Sequence, residues 1–241
     1  MHSTYPELTI IIPIYNEEEN ISRLYDEMLN FLISARKTAK ILFVNDGSGD
    51  NSLELIKDVC SGNPLFDYIS FDRNYGLSAA LKAGFDTART KWVGYIDADL
   101  QTHPSDFNIL LEFVDMYDLV TGVRANRKDS FTKNLSSKIA NGIHRSFTHD
   151  GMDDTGCPLK IVRAEYAKKI PMFNGLHRFL PAMVLLQNGK VKQVPVSHYP
   201  RIAGKSKFNM WNRLLGPLSD CFAYLWMKRK YINYTIQERS E

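Results

Sequence analysis

Short apolar, β-branched runs alternate with helix-periodic segments through the first 125 residues, and no other feature restricts the fold so tightly. Leu8–Ile12 is such a run, closed by Pro13. Glu17–Ile33 then carries Ile21, Leu24, Tyr25, Met28, Leu29 and Leu32 at helical spacing. Lys40–Asn45, Tyr68–Phe71, Trp92–Ile96 and Leu119–Val123 read as further strands. Asn51–Cys60, Leu77–Ala88 and Ser105–Phe113 read as the helices between them. Such alternation implies βαβ units and an α/β, Rossmann-like, mostly parallel sheet with helices on both faces. Ligands of open α/β sheets lie beyond the carboxyl ends of the strands. Three polar motifs fall at strand ends here, so that crevice is the expected site.

After Arg124 the pattern changes. Asn126–Ser130 is polar, and Lys133–Phe147 can form a helix with a basic face. Leu159–Val162 and Val191–Val196 look like strands, and Arg178–Leu186 like a buried helix. Arg201–Phe208 is a basic, glycine-containing loop. Trp211–Tyr231 reads as an amphipathic helix that Gly216-Pro217 should kink or delay. The sequence holds no internal repeat, low-complexity segment or linker. The expected organisation is one domain over residues 1–210, followed by a C-terminal amphipathic helix and tail over 211–241.

A content of 44% hydrophobic residues in a chain of 241 is enough for a sizeable core. The net charge of +3 says little, but its distribution says more. Six Lys or Arg and no Asp or Glu lie between Lys190 and Arg213. That stretch calls for an anion, such as phosphate or an acidic lipid surface. No nucleic-acid-binding motif surrounds it, and no nucleic-acid partner is expected. Cys60, Cys157 and Cys221 are odd in number, widely spaced and without a C-x-x-C pair, which points to a reducing compartment, the cytoplasm. The N-terminus MHSTYPEL has no signal-peptide core. No run reaches the roughly 18 apolar residues of a spanning helix, and Leu214–Met227 is short and holds Asp220. Contact with a membrane would therefore be peripheral, on its cytoplasmic face. Leu214, Leu215, Leu218, Phe222, Leu225 and Trp226 recur at helical spacing, with Lys228, Arg229 and Lys230 just after them. Such a stripe suits a membrane interface, its own core, or a separate membrane subunit.

The chemistry-bearing residues follow the strands. Asp97-Ala98-Asp99 places two carboxylates where both can approach one divalent cation, Mg²⁺ or Mn²⁺, with Gln101 and His103 near enough to add ligands. The plainer reading is a polar loop that caps the next helix through Thr102 or Ser105. Val44–Ser48 ends the second strand; Asp46 can accept N–H groups of a base, and Gly47 allows close backbone approach. The same Asp-Gly also suits an ordinary turn. Pro13–Glu18 ends the first strand: Tyr15 can face a base, and Asn16 can cap a helix whose first turn is acidic. Arg73, in Arg73-Asn74-Tyr75-Gly76, is a phosphate or base contact or a solvated loop arginine. Asp153 and Asp154 can orient an acceptor or act as base, or form a polar turn. Arg201, Lys205 and Lys207 surround Gly204 and Ser206 in a loop fit to fold over phosphates.

Together these motifs resemble the family 2 glycosyltransferases of the GT-A fold, and among them the dolichyl- and polyprenyl-phosphate mannosyl- and glucosyltransferases. The likeness runs from about Leu8 to Met227, in the order PIYNEEENI, VNDGSGDNS, RNYGLSAALKAGFDTA, YIDADLQTHP, GVRANR, DDTGCPLKIVR and PRIAGKSKF. The resemblance implies a nucleotide-sugar donor and a polyprenyl-phosphate acceptor. It implies that Pro13, Tyr15, Glu17 and Asp46 line the nucleoside pocket, with Arg73 and Asp97 also on the donor side. Asp97, Asp99 and Gln101 would hold the metal, and Arg124, Arg201 and Lys205 would meet phosphates. Lys207, Asp153 and Asp154 stand on the acceptor side. The family's usual pair of acids after the second strand is Asn45-Asp46 here, so only Asp46 carries over. A hydroxyl acceptor, or a non-catalytic nucleotide-sugar-binding subunit, would share the donor-side motifs.

Overall fold

The computed structural model describes residues 5–124, 142, 145–199, 215–234 and 236–238, with the backbone alone for 215–217. Its strands are β1 (Leu8–Ile14), β2 (Ala39–Asn45), β3 (Phe66–Ser70), β4 (Trp92–Tyr95), β5 (Leu119–Arg124), β6 (Lys160–Arg163) and β7 (Val191–Val196). The helices are α1 (Glu18–Ser34), α2 (Ser52–Gly62), α3 (Leu77–Thr87), α4 (Phe107–Leu111), α5 (Ala164–Lys169), α6 (Leu180–Leu186) and α7 (Leu215–Lys230).

β1 shows why the sheet is buried on both faces. Leu8, Ile10, Ile12 and Ile14 pack into one cluster with Ile21, Leu24, Met28 and Phe31 of α1 and with Phe107 of α4. Ile11 points the other way, against Ala80, Leu81 and Phe85 of α3. Period-two alternation on a strand apolar at every position but Thr9 sends side chains into both cores. Each fully buried aliphatic side chain contributes about 1.5–3 kcal/mol relative to exposure.

The sheet order is β3-β2-β1-β4-β6-β5-β7. β1, β2, β3 and β4 pair in parallel. β6 runs antiparallel between β4 and β5, and β7 is parallel to β5. The mostly parallel sheet expected from the sequence is therefore present, with one reversed strand inserted in it. The carboxyl ends of the other six strands lie at one edge, and the amino end of β6 lies there too.

The last helix is tied in by side chains of the turn Leu176–Phe179. Phe179 stacks on Tyr224 at 5.2 Å, and Arg178 pairs with Asp220 at 3.2 Å. Cys221 and Tyr224 are the buried face of α7, whereas Leu218, Phe222 and Trp226 are exposed. The proposed stripe and the core-facing residues are thus different sets. Leu214 and the side chain of Leu215 lie outside the described residues, as does the boundary drawn at residue 210. The helix expected over Lys133–Phe147 lies almost wholly outside them; residues 145–148 are helical. Among the described residues no helix is long and apolar enough to cross a membrane.

Candidate active site

The turn after β2 is the most constrained part of the edge. Asp46 is 4% exposed. Its carboxylate accepts from the N–H of Tyr75 at 2.7 Å, the N–H of Gly76 at 2.9 Å and Nδ2 of Asn74 at 2.9 Å. Burial raises its pKa, and the Tyr75 and Gly76 hydrogen bonds work against that rise. Gly47 has φ +64°, and a Cβ there would stand 2.2 Å from the carbonyl carbon of Arg73. Asp46-Gly47 therefore clamps the Arg73–Gly76 segment against the end of β2. The Arg73 guanidinium lies 5.0 Å from the centroid of the Tyr75 ring, and Tyr75 meets Phe71 edge-on at 5.6 Å. Tyr15, just past the end of the neighbouring strand β1, is exposed.

Asn16 does not cap α1. Its φ of +51° turns the side chain toward the neighbouring loop, where Oδ1 accepts from the N–H of Gly49 at 2.8 Å. The capping position is Glu17, whose carboxylate accepts from Asn20. Glu18 accepts from the N–H of Asn51, just before α2. The ends of β1 and β2 are thus laced into one unit.

Past β4, Asp97 accepts a hydrogen bond from the Tyr95 hydroxyl at 2.6 Å, and Asp99, 8% exposed, accepts from the N–H of Gln101 at 3.1 Å. Leu100 has φ +53° between them. Burial, then the charge of Asp99, pushes the Asp97 carboxyl up to about 6, against the pull of Tyr95, Lys160 and Arg124. Two acids that repel each other in a dry corner suit a divalent cation. Among the described residues no group of three His, Cys, Asp or Glu side chains converges there. That also fits the chemistry: Mg²⁺-like ions are usually held by one or two carboxylates together with substrate phosphates. His103 is turned elsewhere. Its Nδ1 caps the turn Pro104–Asp106 through Ser105, and its Nε2 faces Glu27 at 3.1 Å. His103 therefore takes the capping role that Thr102 or Ser105 was expected to fill.

The loop before β6 closes the other side. Arg124 donates Nε and Nη2 to Asp154 at 2.7 Å each, and its N–H at 3.2 Å. Asp153 pairs with Arg145 at 3.0 Å. Lys160 was read only as part of a strand, yet it is 2% exposed beside Tyr95 in the sheet register. Its ammonium donates to the carbonyls of Cys157 and Thr155. Burial lowers its pKa. A lysine at the first position of a short apolar strand was the available signal. After β7 the Tyr199 N–H donates to the Gln101 carbonyl at 2.8 Å, and the Ser197 N–H to Asp106 at 2.9 Å. Arg201, Lys205 and Lys207 lie outside the described residues, but the chain is pinned beside Gln101 two residues before Arg201. The structure thus collects Tyr15, Glu17, Asp46, Arg73, Asp97, Asp99, Gln101, Arg124, Asp153 and Asp154 at one edge.

Residues 9–170 match the family Glycosyl transferase family 2. A dodecaprenyl-phosphate galacturonate synthase of Rhizobium johnstonii is 31% identical over 92% of this chain and 68% of its own length. An undecaprenyl-phosphate 4-deoxy-4-formamido-L-arabinose transferase of Pectobacterium atrosepticum is 35% identical over 84% of this chain. The chain spans only 62% of that relative. Among solved structures, glucosyl-3-phosphoglycerate synthase of Mycobacterium tuberculosis, in complex with Mn²⁺, UDP-glucose and phosphoglyceric acid, superimposes with a TM-score of 0.69. That likeness covers 95% of this chain and 81% of the other at 14% identity. It speaks to the fold alone.

Proposed function

The chain belongs to glycosyl transferase family 2, and we propose that it moves a hexose from a nucleotide-diphosphate sugar onto a polyprenyl or dolichyl phosphate. The donor would be of the GDP-mannose or UDP-glucose type. The observation that carries this reading is the convergence of the Asp46 turn and the Asp97/Asp99 pair at one sheet edge. A base can stand against the Tyr15, Asp46 and Arg73–Tyr75 side, and a diphosphate against the two acids. Relatives named for transfer to dodecaprenyl and undecaprenyl phosphate support the acceptor class.

Asp97 and Asp99, with Gln101 beside them, would hold Mg²⁺ or Mn²⁺; when bound, the ion supplies positive charge that offsets the growing negative charge of the departing diphosphate. The chain's own residues do the rest. Tyr95 fixes Asp97 by its hydroxyl. Asp46 holds the loop that faces the base. An acceptor phosphate is already anionic and needs orientation more than deprotonation, so positioning supplies much of the acceleration. In-line attack from the face opposite the leaving group inverts the anomeric centre. The pairing of Asp154 supports a phosphate rather than a hydroxyl acceptor. Asp154 is buried and held through both oxygens by Arg124, so it is not poised as a general base, and Asp153 is exposed and paired with Arg145.

Arg201, Lys205 and Lys207 are proposed to close over phosphates. Lys205→Ala should weaken substrate binding by roughly 1.5–3 kcal/mol, the worth of a charge-assisted hydrogen bond. Steady-state kinetics with each substrate varied checks this, and unchanged constants for both would make the loop a bystander.

We also propose peripheral attachment to the cytoplasmic face of a membrane, directly or through a membrane subunit, with the residues after 210 as the attaching element. Phe222 and Trp226 are 58% and 68% exposed on α7. Lys228, Arg229 and Lys230 form its last turn. Phe147 meets Phe222 edge-on, beside a groove lined by Leu225, Lys228 and Arg229. An apolar stripe next to cations suits anionic head groups. The full chain should sediment with anionic liposomes at low salt, and a chain ending before Trp211 should not. A full chain that stays in the supernatant would exclude direct binding.

A further inference from the structure

His177 sits in the turn Leu176–Phe179, one residue before the helix expected from the sequence. Its Nδ1 is 2.8 Å from Ser78 Oγ. Ser78 is buried, and its Oγ accepts from the N–H of Gly175 at 3.1 Å. A buried hydroxyl proton needs an acceptor, and among the described residues Nδ1 is the one at hand. That places the imidazole proton on Nε2. His177 as a whole is half-buried, and among the described residues none hydrogen-bonds Nε2.

The position joins the two halves of the site. Ser78 lies in the first turn of α3, two residues after the Gly76 whose N–H binds Asp46. Lys160 lies within electrostatic reach of both His177 and Asp97. The neighbouring Arg178 pairs with Asp220 of α7. Gly175, at φ +94°, brings its backbone so close that a Cβ would meet Asp220 Oδ2 at 2.2 Å. His177 therefore stands between the Asp46 turn at the start of α3 and the helix that exposes Phe222 and Trp226.

We propose that His177 binds substrate by donating its Nε2–H to the phosphate of the polyprenyl-phosphate acceptor. The assignment rests on the reading of this chain as a polyprenyl-phosphate sugar transferase. Burial, then the charges of Arg178 and Lys160, pushes the imidazole down to about 3. It is neutral near pH 7, a poor base but a standing donor. An anionic acceptor needs a donor there, and the nearby cations complement its charge.

Two substitutions separate this role from a structural one. His177→Asn keeps an acceptor for Ser78 but has no donor at the Nε2 position, whereas His177→Gln keeps a donor there. With a short-chain polyprenyl phosphate varied at saturating donor, His177→Asn should raise acceptor KM roughly tenfold to a hundredfold, the range of a hydrogen bond to a charged group. Donor KM and the thermal midpoint should stay at wild-type values, and His177→Gln should remain within about threefold in acceptor KM, well short of that loss. Wild-type acceptor KM in a folded His177→Asn protein, a change in donor KM instead, or rescue by Asn and not by Gln would each overturn the assignment. If Asn will not fold, a Gln protein with tenfold weaker acceptor binding overturns it equally. Wild-type protein that forms no lipid-linked product overturns the acceptor reading and this assignment together; wild-type turnover with insensitive variants overturns this assignment alone.

Discussion

Asp99→Asn should leave a folded protein that transfers sugar at about a hundredth to a thousandth of the wild-type rate. That is the size of loss seen when a preorganised group serving transition-state charge is removed. The fold should survive because the amide keeps an oxygen for the Gln101 N–H that Asp99 now accepts, at nearly the same volume. What disappears is one of the two negative charges proposed to face a divalent cation. The residual activity should need more Mn²⁺ for half-saturation, because one proposed carboxylate ligand is gone. Circular dichroism establishes folding, and nucleotide release against Mn²⁺ concentration gives the rate. Wild-type-like turnover by a folded Asp99→Asn protein would remove the metal role from this pair.

The second large effect is expected at Gly47. A residue with a side chain would be strained at φ +64°, and its Cβ would overlap the Arg73 backbone at 2.2–2.6 Å. Backbone strain of this kind costs about 1–3 kcal/mol, or roughly 2–4 °C of Tm for each kcal/mol in a chain of this size. The overlap adds a second cost, because the Arg73–Gly76 segment must move off the three hydrogen bonds it makes to the Asp46 carboxylate. Gly47→Ala should therefore lower Tm and weaken nucleoside diphosphate binding at least about tenfold, the loss of one charge-assisted contact. A thermal scan and a calorimetric titration check both. Unchanged Tm and Kd would mean that the turn neither braces the loop nor shapes the donor side.

The behaviour of Asp46 shows where sequence reasoning reached its limit. Its position at the end of β2 followed from the apolar run before it, and its closeness to Gly47 from the dipeptide. Its partners did not, because Asn74, Tyr75 and Gly76 are joined to it only by the pairing of β2 with β3. The parallel half of the sheet was legible because mostly apolar strands bounded by polar turns occur in order. The direction of β6 was not, since it depends on how the chain returns between residues 124 and 160. α5 was missed because six residues carry too little periodicity. Its Glu165 in the first turn and Lys168 and Lys169 in the last were the available charge signal. His177 was overlooked because its role depends on Ser78, a contact 99 residues distant in sequence. That Asp97 and Asp99 share one turn was legible from spacing, since a strand that ends in D-x-D puts both carboxylates there; their reading as metal ligands rested on the other motifs.

The most direct test of the account is mass-spectrometric detection of lipid-linked sugar. The purified 241-residue chain is incubated with Mn²⁺, a short-chain polyprenyl phosphate and single nucleotide sugars in turn. One donor should yield sugar-phosphoryl-polyprenol and nucleoside diphosphate in equal amounts, and chelation of the metal should abolish both. A donor that is consumed with a hydroxyl acceptor, while no nucleotide sugar gives lipid-linked product, would contradict the account.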